Sequence, residues 1–532
     1  MPRDWDLEAD VVVVGFGAAG ACAALEATAA GADVIVLDRF AGGGTTALSG
    51  GIVYAGGGTV QQAQAGVRDS PQAMFDYLTL EVGDAVSPGT LREFCEGSGD
   101  MLAWLSSKGV PFEGSLCPEQ TSYPTSRRYL YYSGSELSFA SQVPPAPRGH
   151  RAFGCGTSGQ LLFARLASAV ESCGARVVLQ TRAQDLVCDE SGKVIGVRCA
   201  SMRGAPGWAR LSHRFLHRLG LKPFVYLGSP GRMLHAPVAW LERTQARPLR
   251  VRARHGVILA AGGFVANRAL MRQHAPAYRG GLALGTVADD GSGLRLGTSV
   301  GGAAKFLDRV SCWRFLSPPP AFLRGVLVDA AGQRICDESL YGAAIGEAMV
   351  LRHGRQAWLL VDEAIVAESR RQLARCTLWF QFLQAVYLLR SRMSAPTLAE
   401  VAAMAGIDPA GLAATVGAYN SAALAGQPDP AGKPADVVRA LLRPPYSVID
   451  LSVRPSAAYP APMMTLGGLL VAEETGKVRR EDGSMVDGLY AAGRSAVGLC
   501  SRSYVSGLSL ADCVFSGRRA GRHAAAGLKS GV

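Results

Sequence analysis

The glycine-rich stretch Gly15 to Gly20, GFGAAG, is the part of the sequence with the clearest chemical meaning. It follows a β-branched run and precedes an Ala-rich stretch, so we predict a strand, a tight turn and a helix. A second apolar run ends at Asp38, eighteen residues after Gly20. Backbone N–H groups at such a helix N-terminus bind pyrophosphate, and an acid at this spacing binds ribose hydroxyls. The pattern predicts a dinucleotide site formed by Gly15, Gly17, Ala18, Ala19, Gly20 and Asp38.

NAD and FAD sites share this motif, so the choice between them depends on other segments. Residues 42–51 are small or carry hydroxyls, which suits the close approach of a large flat group to the backbone. Residues 256–264, GVILAAGGF, and 488–493, GLYAAG, each predict a buried strand that ends in glycine. We expect the three separated segments to converge on one cofactor.

Two further motifs place the chain in a family. Together with the segments above, ADDGSG at residues 288–293 and MTLGGL at residues 464–469 resemble flavoproteins of the fumarate reductase and 3-ketosteroid dehydrogenase superfamily, over the whole chain. The resemblance implies non-covalently bound FAD rather than NAD. It also implies cofactor contacts at Arg39, Thr45, Thr46, Ser49, Gly50, Gly51, Ala261, Gly262, Asp290, Gly493, Ser509 and Leu510.

The elements that must position these residues follow from the same resemblance. It implies an α/β fold in which a Rossmann-type FAD-binding domain, residues 1–267 and 446–532, carries an inserted α+β catalytic cap domain, residues 268–445. A Pro-marked junction near residue 445 supports the second boundary independently. Within the cap, residues 376–393 are rich in aromatic and aliphatic side chains, which are compatible with a buried helix or with a substrate-lining wall.

The segment SRSYVSGLSLADC, residues 501–513, discriminates between branches of the superfamily. It lacks the His-Gly-Ala-Asn-Arg stretch of the dicarboxylate enzymes, so a dicarboxylate substrate is disfavoured. Tyr504-Val505-Ser506-Gly507 stands where Δ1-dehydrogenases carry Tyr-Pro-Gly-Pro-Gly. This Tyr-x-Ser pair, together with Tyr341 in CDESLYG, is similar to 3-ketosteroid Δ4-(5α)-dehydrogenases.

The resemblance implies FAD-dependent introduction of a 4,5 double bond into a 3-ketosteroid. A proton leaves C4, which the C3 ketone acidifies, and a hydride passes from C5 to flavin N5. Hydroxyl groups have high ordinary pKa values, near 10 for Tyr, so they act when aligned in a relay. We expect Ser506 nearest the C4 proton, with Tyr504 and Tyr341 activating it. Tyr123 and Gly507 are expected to contact the substrate, and the tyrosines of residues 129–132 to line the pocket.

Other functions stay open at this point. Within enzymes, the alternatives are a 3-ketosteroid Δ1-dehydrogenase or a flavin ene-reductase of the fumarate reductase type. The non-enzymatic alternative is a structural flavoprotein at a membrane surface, against which the retained hydroxyl residues argue. No metal is expected, because His213 and His217 lack the Glu of an HExxH motif and are interpreted as solvated helix positions.

Composition sets outer limits on the class of protein. The chain has 532 residues, of which 48% are hydrophobic and 18% charged, with a mean hydropathy of +0.15, so a disordered or fibrous chain is excluded. Its twelve cysteines are scattered without a CxxC pair, which indicates free thiols in a reducing compartment. With no apolar leader and no membrane-length apolar run, we expect a cytoplasmic protein.

A basic insertion, residues 201–254, holds eleven Lys or Arg residues and one acid, Glu242. Because the positive charge is confined to one segment, a nucleic-acid partner is not expected. Apolar residues recur at helical spacing at Trp208, Leu211, Phe215 and Leu219, which predicts a basic amphipathic helix. One interpretation is a helical hairpin packed on the FAD-binding domain. The other is a surface resting on anionic lipid at the inner face of the membrane, near steroid and a quinone as electron acceptor.

Overall fold

The computed structural model describes residues 5–227, 233–376 and 378–526. The helices in these residues are α1 Ala18–Ala29, α2 Gly44–Leu48, α3 Val60–Gln64, α4 Pro71–Val82, α5 Pro88–Glu96, α6 Ser98–Ser107, α7 Gly159–Ser172, α8 Gly207–Leu227, α9 Ala236–Gln245, α10 Arg268–His274, α11 Ser292–Thr298, α12 Gly342–Arg352, α13 Glu363–Cys376, α14 Trp379–Ser391, α15 Leu398–Ala405, α16 Pro409–Leu424 and α17 Leu508–Ala526. Short 3₁₀ turns lie at Pro276–Tyr278, Pro320–Arg324 and Gly493–Ser495.

The strands are β1 Leu7–Val14, β2 Val34–Leu37, β3 Ile52–Tyr54, β4 Leu116–Cys117, β5 Leu130–Tyr131, β6 Gly149–Arg151, β7 Arg176–Val178, β8 Thr181–Cys188, β9 Val194–Ser201, β10 Arg247–Leu259, β11 Leu282–Ala283, β12 Ala304–Lys305, β13 Val310–Cys312, β14 Val326–Val328, β15 Trp358–Asp362, β16 Met393–Ala395, β17 Tyr446–Asp450, β18 Pro462–Thr465, β19 Gly468–Leu469, β20 Lys477–Arg479 and β21 Met485–Ala491. The mixture of strands and helices confirms the predicted α/β class.

The central sheet has the order β20-β21-β10-β1-β2-β7, and β21, β10, β1 and β2 run parallel to one another. The stretches of β1, β2 and β10 that pair in parallel, residues 11–14, 34–37 and 257–259, are apolar and buried, as parallel strands covered on both faces must be. The carboxyl ends of β1, β10 and β21, at Val14, Leu259 and Ala491, lie side by side. The loops that follow these three strands are therefore neighbours, although they are hundreds of residues apart in sequence.

The C-terminal helix α17 packs along α1 through small residues. A Cβ at Gly517 would overlap the backbone of Ala19, and one at Gly521 would overlap that of Ala23. The two helix backbones approach closely only because these positions are glycine. This contact holds the middle of α17 against the first turns of α1, next to the glycine-rich turn.

A second core belongs to the region predicted as the cap. It is built on the antiparallel sheet β14-β15-β17-β16 and the helices that pack against it. Strand β17 starts at Tyr446, the first residue of the predicted second FAD-binding segment, and pairs with both β15 and β16. The exact domain boundaries stay a prediction.

The basic insertion forms a helix pair, α8 and α9, between β9 and β10. The predicted amphipathic helix is present, with Trp208, Phe215 and Trp240 at least half exposed. The side chains of residues 222–227, and residues 228–232 altogether, lie outside the described part of the chain. No helix that the structure describes has the length and hydropathy needed to cross a bilayer.

Candidate active site

One cavity of about 370 Å³ runs from the glycine-rich turn to the predicted catalytic hydroxyls. Tyr504, Ser506 and Tyr341 line it together with the predicted substrate contacts Tyr123 and Gly507. The predicted cofactor-binding residues also line it, with five exceptions: Gly20, Arg39, Gly51, Asp290 and Gly493. The three segments that the sequence predicted to converge therefore do meet around one cavity.

The three glycines of the turn, Gly15, Gly17 and Gly20, are required for different structural reasons. A Cβ at Gly15, whose φ is +107°, would overlap the carbonyl of Ala260, and one at Gly20 would overlap the carbonyl of Gly15. Both glycines are needed for packing of the turn. A Cβ at Gly17 would meet the Thr46 hydroxyl at 3.4 Å, an ordinary contact. Gly17 thus leaves room for a ligand in the cavity rather than for another part of the protein.

Asp38 is aligned at the cavity by the backbone around it. Its carboxylate accepts N–H donors from Phe16 at 3.0 Å, Phe40 at 2.8 Å and Gly42 at 3.2 Å. The N–H of Ala18, at the start of α1, donates to the Thr46 hydroxyl at 3.0 Å. An aligned carboxylate, a helix N-terminus and a glycine that leaves the cavity open suit the ribose and pyrophosphate of a dinucleotide.

The sequence predicted Asp290 as a cofactor contact, but the neighbouring Asp289 is the acid that lines the cavity. The Asp289 carboxylate accepts the Thr45 hydroxyl at 2.6 Å and the Thr286 N–H at 2.8 Å, and it pairs with Arg494. Asp290 instead contacts Arg39 at 3.1 Å, away from the cavity lining. Both acids stand in one ADDGSG motif, so the motif locates the turn but not which acid faces inward.

The three candidate catalytic residues lie together. The Ser506 and Tyr131 hydroxyls are 3.2 Å apart, and the rings of Tyr341 and Tyr504 are 6.4 Å apart between centroids. Trp313 packs on Tyr504 at 4.9 Å between ring centroids. The site is therefore a cluster of hydroxyls in an aromatic environment, with Tyr131 as a partner of Ser506.

One loop, residues 133–136, is hydrogen-bonded both to Ser506 and to Tyr341. The Ser506 N–H donates to the Ser133 carbonyl at 3.2 Å, and the Ser133 hydroxyl donates back to the Ser506 carbonyl at 3.0 Å. The Tyr341 N–H donates to the Ser135 hydroxyl at 3.1 Å. These hydrogen bonds fix the position of Tyr341 relative to Ser506, although the two residues are distant in sequence.

A buried ionic cluster orders the chain just before Tyr341. Glu338 is fully buried between Arg334 and Lys433, each with an N–O distance of 2.7 Å, and it also accepts the Leu327 N–H at 2.7 Å. Removing one partner of such a group leaves an uncompensated buried charge. The cluster fixes the segment that presents Tyr341 to the cavity.

Burial keeps the tyrosine hydroxyls protonated. It raises the pKa of Tyr341 well above its usual range, Tyr504 and Tyr131 raise it further, and a hydrogen bond with Ser506 opposes the rise. Burial raises the pKa of Tyr504 and of Tyr131 as well. At neutral pH these groups are therefore protonated, which makes them available as hydrogen-bond donors and not as phenolate bases.

Glu136 is an acid of this region that sequence reasoning missed. It is buried and accepts the Tyr54 hydroxyl at 3.1 Å and the Gly134 N–H at 2.8 Å. Burial raises its pKa to about 7, although Arg148 opposes the rise. A single acid between polar residues gives no recognisable motif, so only the fold reveals it.

The aromatic stretch in the cap serves as a wall of the cavity. Helix α14 presents Phe380, Gln384 and Leu388 to the cavity, whereas Trp379 and Leu383 are more than half exposed. One face of this helix therefore lines the cavity, and its contact with the substrate stays a prediction. Its opposite face is turned to solvent.

The two histidines of the insertion are not solvated, which corrects the sequence-based interpretation. His213 is 1% and His217 7% exposed. The helical spacing placed them on the polar face, but that face packs against Phe40 of the cofactor-binding segment. Among the residues that the structure describes, no group of three or more His, Cys, Asp or Glu could hold a metal ion.

The fold and the cavity define a dinucleotide-cofactor protein, and comparison with known proteins specifies its class. The model of the FAD binding domain family matches residues 10–507, so the chain belongs to this family. The predicted choice of FAD over NAD is thereby confirmed.

Individual relatives are more specific. The chain is 37% identical over 503 residues to a 3-oxo-5-alpha-steroid 4-dehydrogenase of Comamonas testosteroni, covering 92% of this chain and 93% of the relative. It is 27% identical to a 3-oxosteroid 1-dehydrogenase of Mycobacterium tuberculosis, covering 93% and 94%. Among solved structures, the 3-ketosteroid-delta4-(5alpha)-dehydrogenase of Rhodococcus jostii RHA1 in complex with 4-androstene-3,17-dione superposes with a TM-score of 0.82 at 32% identity, covering 99% and 98%.

Proposed function

We propose that the protein is an FAD-dependent dehydrogenase that introduces a 4,5 double bond into a 3-ketosteroid. The observation that carries the proposal is the cluster of Tyr504, Ser506 and Tyr341 at the wall of a cavity continuous with the FAD-binding turn. The 3-oxo-5-alpha-steroid 4-dehydrogenase, at 37% identity, supports the same regiochemistry, and the 3-oxosteroid 1-dehydrogenase, at 27%, is less similar to the chain.

The composition of the cavity favours an uncharged apolar substrate. Trp313, Phe315, Phe380 and Met464 line it. Of the described residues in the lining, Arg494 is the sole Lys, Arg or His, and Asp289 already pairs with it. A dicarboxylate carries two negative charges and would meet only this one cation, which already has a carboxylate partner, and this argues against a fumarate-type reaction.

The chain's own residues organise the proton chemistry. When bound, FAD supplies the acceptor for a hydride. The Ser506 hydroxyl accepts the C4 proton as it gives its own proton to the neighbouring hydroxyl of Tyr131 or Tyr341, and that hydroxyl in turn releases a proton toward solvent. Because these tyrosines stay protonated, one of them or the Gly507 backbone N–H donates to the C3 oxygen, where negative charge develops.

Product analysis tests the proposed regiochemistry. Purified protein is incubated with an artificial electron acceptor and a panel of 5α, 5β and 4-ene 3-ketosteroids. We expect the saturated 5α substrate to yield a 4-ene and the 4-ene substrate to stay unchanged. Formation of a 1,4-diene from the 4-ene would assign the protein to the Δ1-dehydrogenases instead.

We further propose that the insertion attaches the protein to anionic lipid, where a membrane quinone serves as electron acceptor. Trp208 is 56%, Phe215 62% and Trp240 50% exposed on helices that also carry exposed arginines. Exposed aromatic residues flanked by cations suit the boundary between lipid headgroups and acyl chains. Steroids partition into membranes, so attachment brings the substrate to the enzyme.

Co-sedimentation with liposomes tests this attachment. We expect the wild type to bind vesicles that contain anionic lipid, and to bind less at high salt, which screens the headgroup attraction. The combined variant Trp208→Ser, Phe215→Ser and Trp240→Ser should lose binding. Trp379→Ser, which removes an exposed aromatic from α14, is the matched control. Equal sedimentation of the triple variant and wild type would leave the insertion without a lipid contact.

A further inference from the structure

The insertion is joined to the cofactor-binding segment by a bidentate ion pair. Glu242 of α9 accepts two N–H donors from the Arg39 guanidinium, with distances of 2.9 Å to each carboxylate oxygen. The third arm of Arg39 reaches Asp290 at 3.1 Å. The His213 ring lies 3.3 Å from the same Glu242 carboxylate. Arg39 directly follows Asp38, the acid aligned at the cavity.

A second contact from the insertion lies on the next residue, Phe40. The His217 ring stacks on the Phe40 ring with 3.8 Å between centroids and an interplanar angle of 3°. Phe40 is buried, and its carbonyl accepts the Gln180 N–H at 2.9 Å. Phe40 therefore sits between the insertion and the central sheet.

Phe40 also supplies one of the three backbone N–H groups that align the acid at the cavity. Its N–H is the donor at 2.8 Å from the Asp38 carboxylate. The insertion thus binds the side chain of Arg39 by an ion pair and that of Phe40 by ring stacking. The backbone N–H of Phe40 in turn donates a hydrogen bond to Asp38. Direct contacts therefore connect α9 to the cavity: Glu242 binds Arg39, and the backbone next to Arg39 binds the Asp38 carboxylate.

The charge states of Glu242 and His217 at neutral pH favour the contacts that these residues make with Arg39 and Phe40. Burial alone would raise the pKa of Glu242, but hydrogen bonds from His213 and Arg39 bring it down to about 2. Burial, together with the neighbouring His235 and His213, lowers the pKa of His217 to about 3. At neutral pH Glu242 is charged and His217 is neutral, so one forms an ion pair and the other stacks on an apolar ring.

We propose that the helix pair α8 and α9 is a positioning element for FAD, in which Glu242 and His217 fix the Asp38 to Phe40 segment in its ribose-binding arrangement. This role goes beyond the proposed steroid chemistry and beyond lipid attachment. It also explains why the insertion's one acid is placed facing the fold rather than among the exposed arginines.

The affinity for FAD tests this role without any steroid. Apoprotein is titrated with FAD for wild type, Glu242→Gln, Arg39→Gln and the double variant, with flavin fluorescence as the signal. We expect each single change to weaken FAD binding by about 5–150-fold, the usual size of coupling between sites. The double variant should bind no more weakly than the weaker single variant, because both changes remove the same contact.

Glu190→Gln is the control, since it removes an exposed carboxylate in the turn between β8 and β9. It should leave FAD affinity unchanged. Thermal unfolding at saturating FAD separates positioning from a merely structural role. A Glu242→Gln protein with a lowered unfolding temperature but wild-type FAD affinity would overturn the proposal, as would additive losses in the double variant.

Discussion

A Gly17→Val protein is expected to fold normally and to be purified without its yellow colour. A Cβ at this position would make only an ordinary contact with Thr46, so the fold has room for a side chain. That side chain would occupy the cavity beside the N-terminus of α1, where the pyrophosphate must approach the backbone. Absorbance near 450 nm, relative to protein, measures the loss.

Two other glycines serve as comparisons. Gly417→Val changes an exposed position of α16 where a Cβ meets nothing within 4 Å, so this protein should stay yellow. Gly20→Val should fail to fold, because its Cβ would overlap the carbonyl of Gly15. A soluble Gly17→Val protein with a full complement of FAD would show that the cofactor lies elsewhere.

Removing any one hydroxyl of the catalytic cluster should slow flavin reduction by steroid by about 10²–10⁴-fold, the usual contribution of a positioned acid or base. The variants are Ser506→Ala, Tyr504→Phe and Tyr341→Phe. Each keeps the packing of its side chain, so the flavin spectrum and substrate binding should change far less than the rate. Stopped-flow absorbance under anaerobic conditions measures the effect.

The matched control is Tyr490→Phe. It removes the hydroxyl of another buried tyrosine, which lies 3.1 Å from the His523 ring and outside the cavity lining. This variant should reduce its flavin at the wild-type rate. If two of the three cluster variants also do so, the catalytic site has been misplaced.

The convergence of the cofactor segments could be predicted from sequence because parallel strands impose it. The segments 10–20, 256–264 and 488–493 each have the pattern of a buried strand followed by small residues. Their strands, β1, β10 and β21, are neighbours with their carboxyl ends aligned. A turn at the end of each strand must then lie at the same edge of the sheet. The arrangement of these turns can therefore be predicted from local sequence patterns.

Contacts between residues that are distant in sequence could not be predicted in this way. Whether Asp289 or Asp290 faces the cavity depends on how its turn packs against Thr45 and Arg494. The partner of Arg39 is Glu242, 203 residues away, and no spacing rule connects them. The burial of His213 and His217 likewise depends on Phe40, so helical periodicity alone misjudged them.

Anaerobic mixing of the purified yellow protein with a 3-keto-5α-steroid is the most direct test of the proposed function. We expect the steroid to bleach the flavin absorbance in proportion to the active protein and to be converted to the 4-ene product, and we expect the reaction to be slower in Tyr504→Phe. A flavin that stays yellow with this steroid but bleaches with dithionite would rule out the proposed function, because the cofactor would then be present but unable to oxidise the steroid.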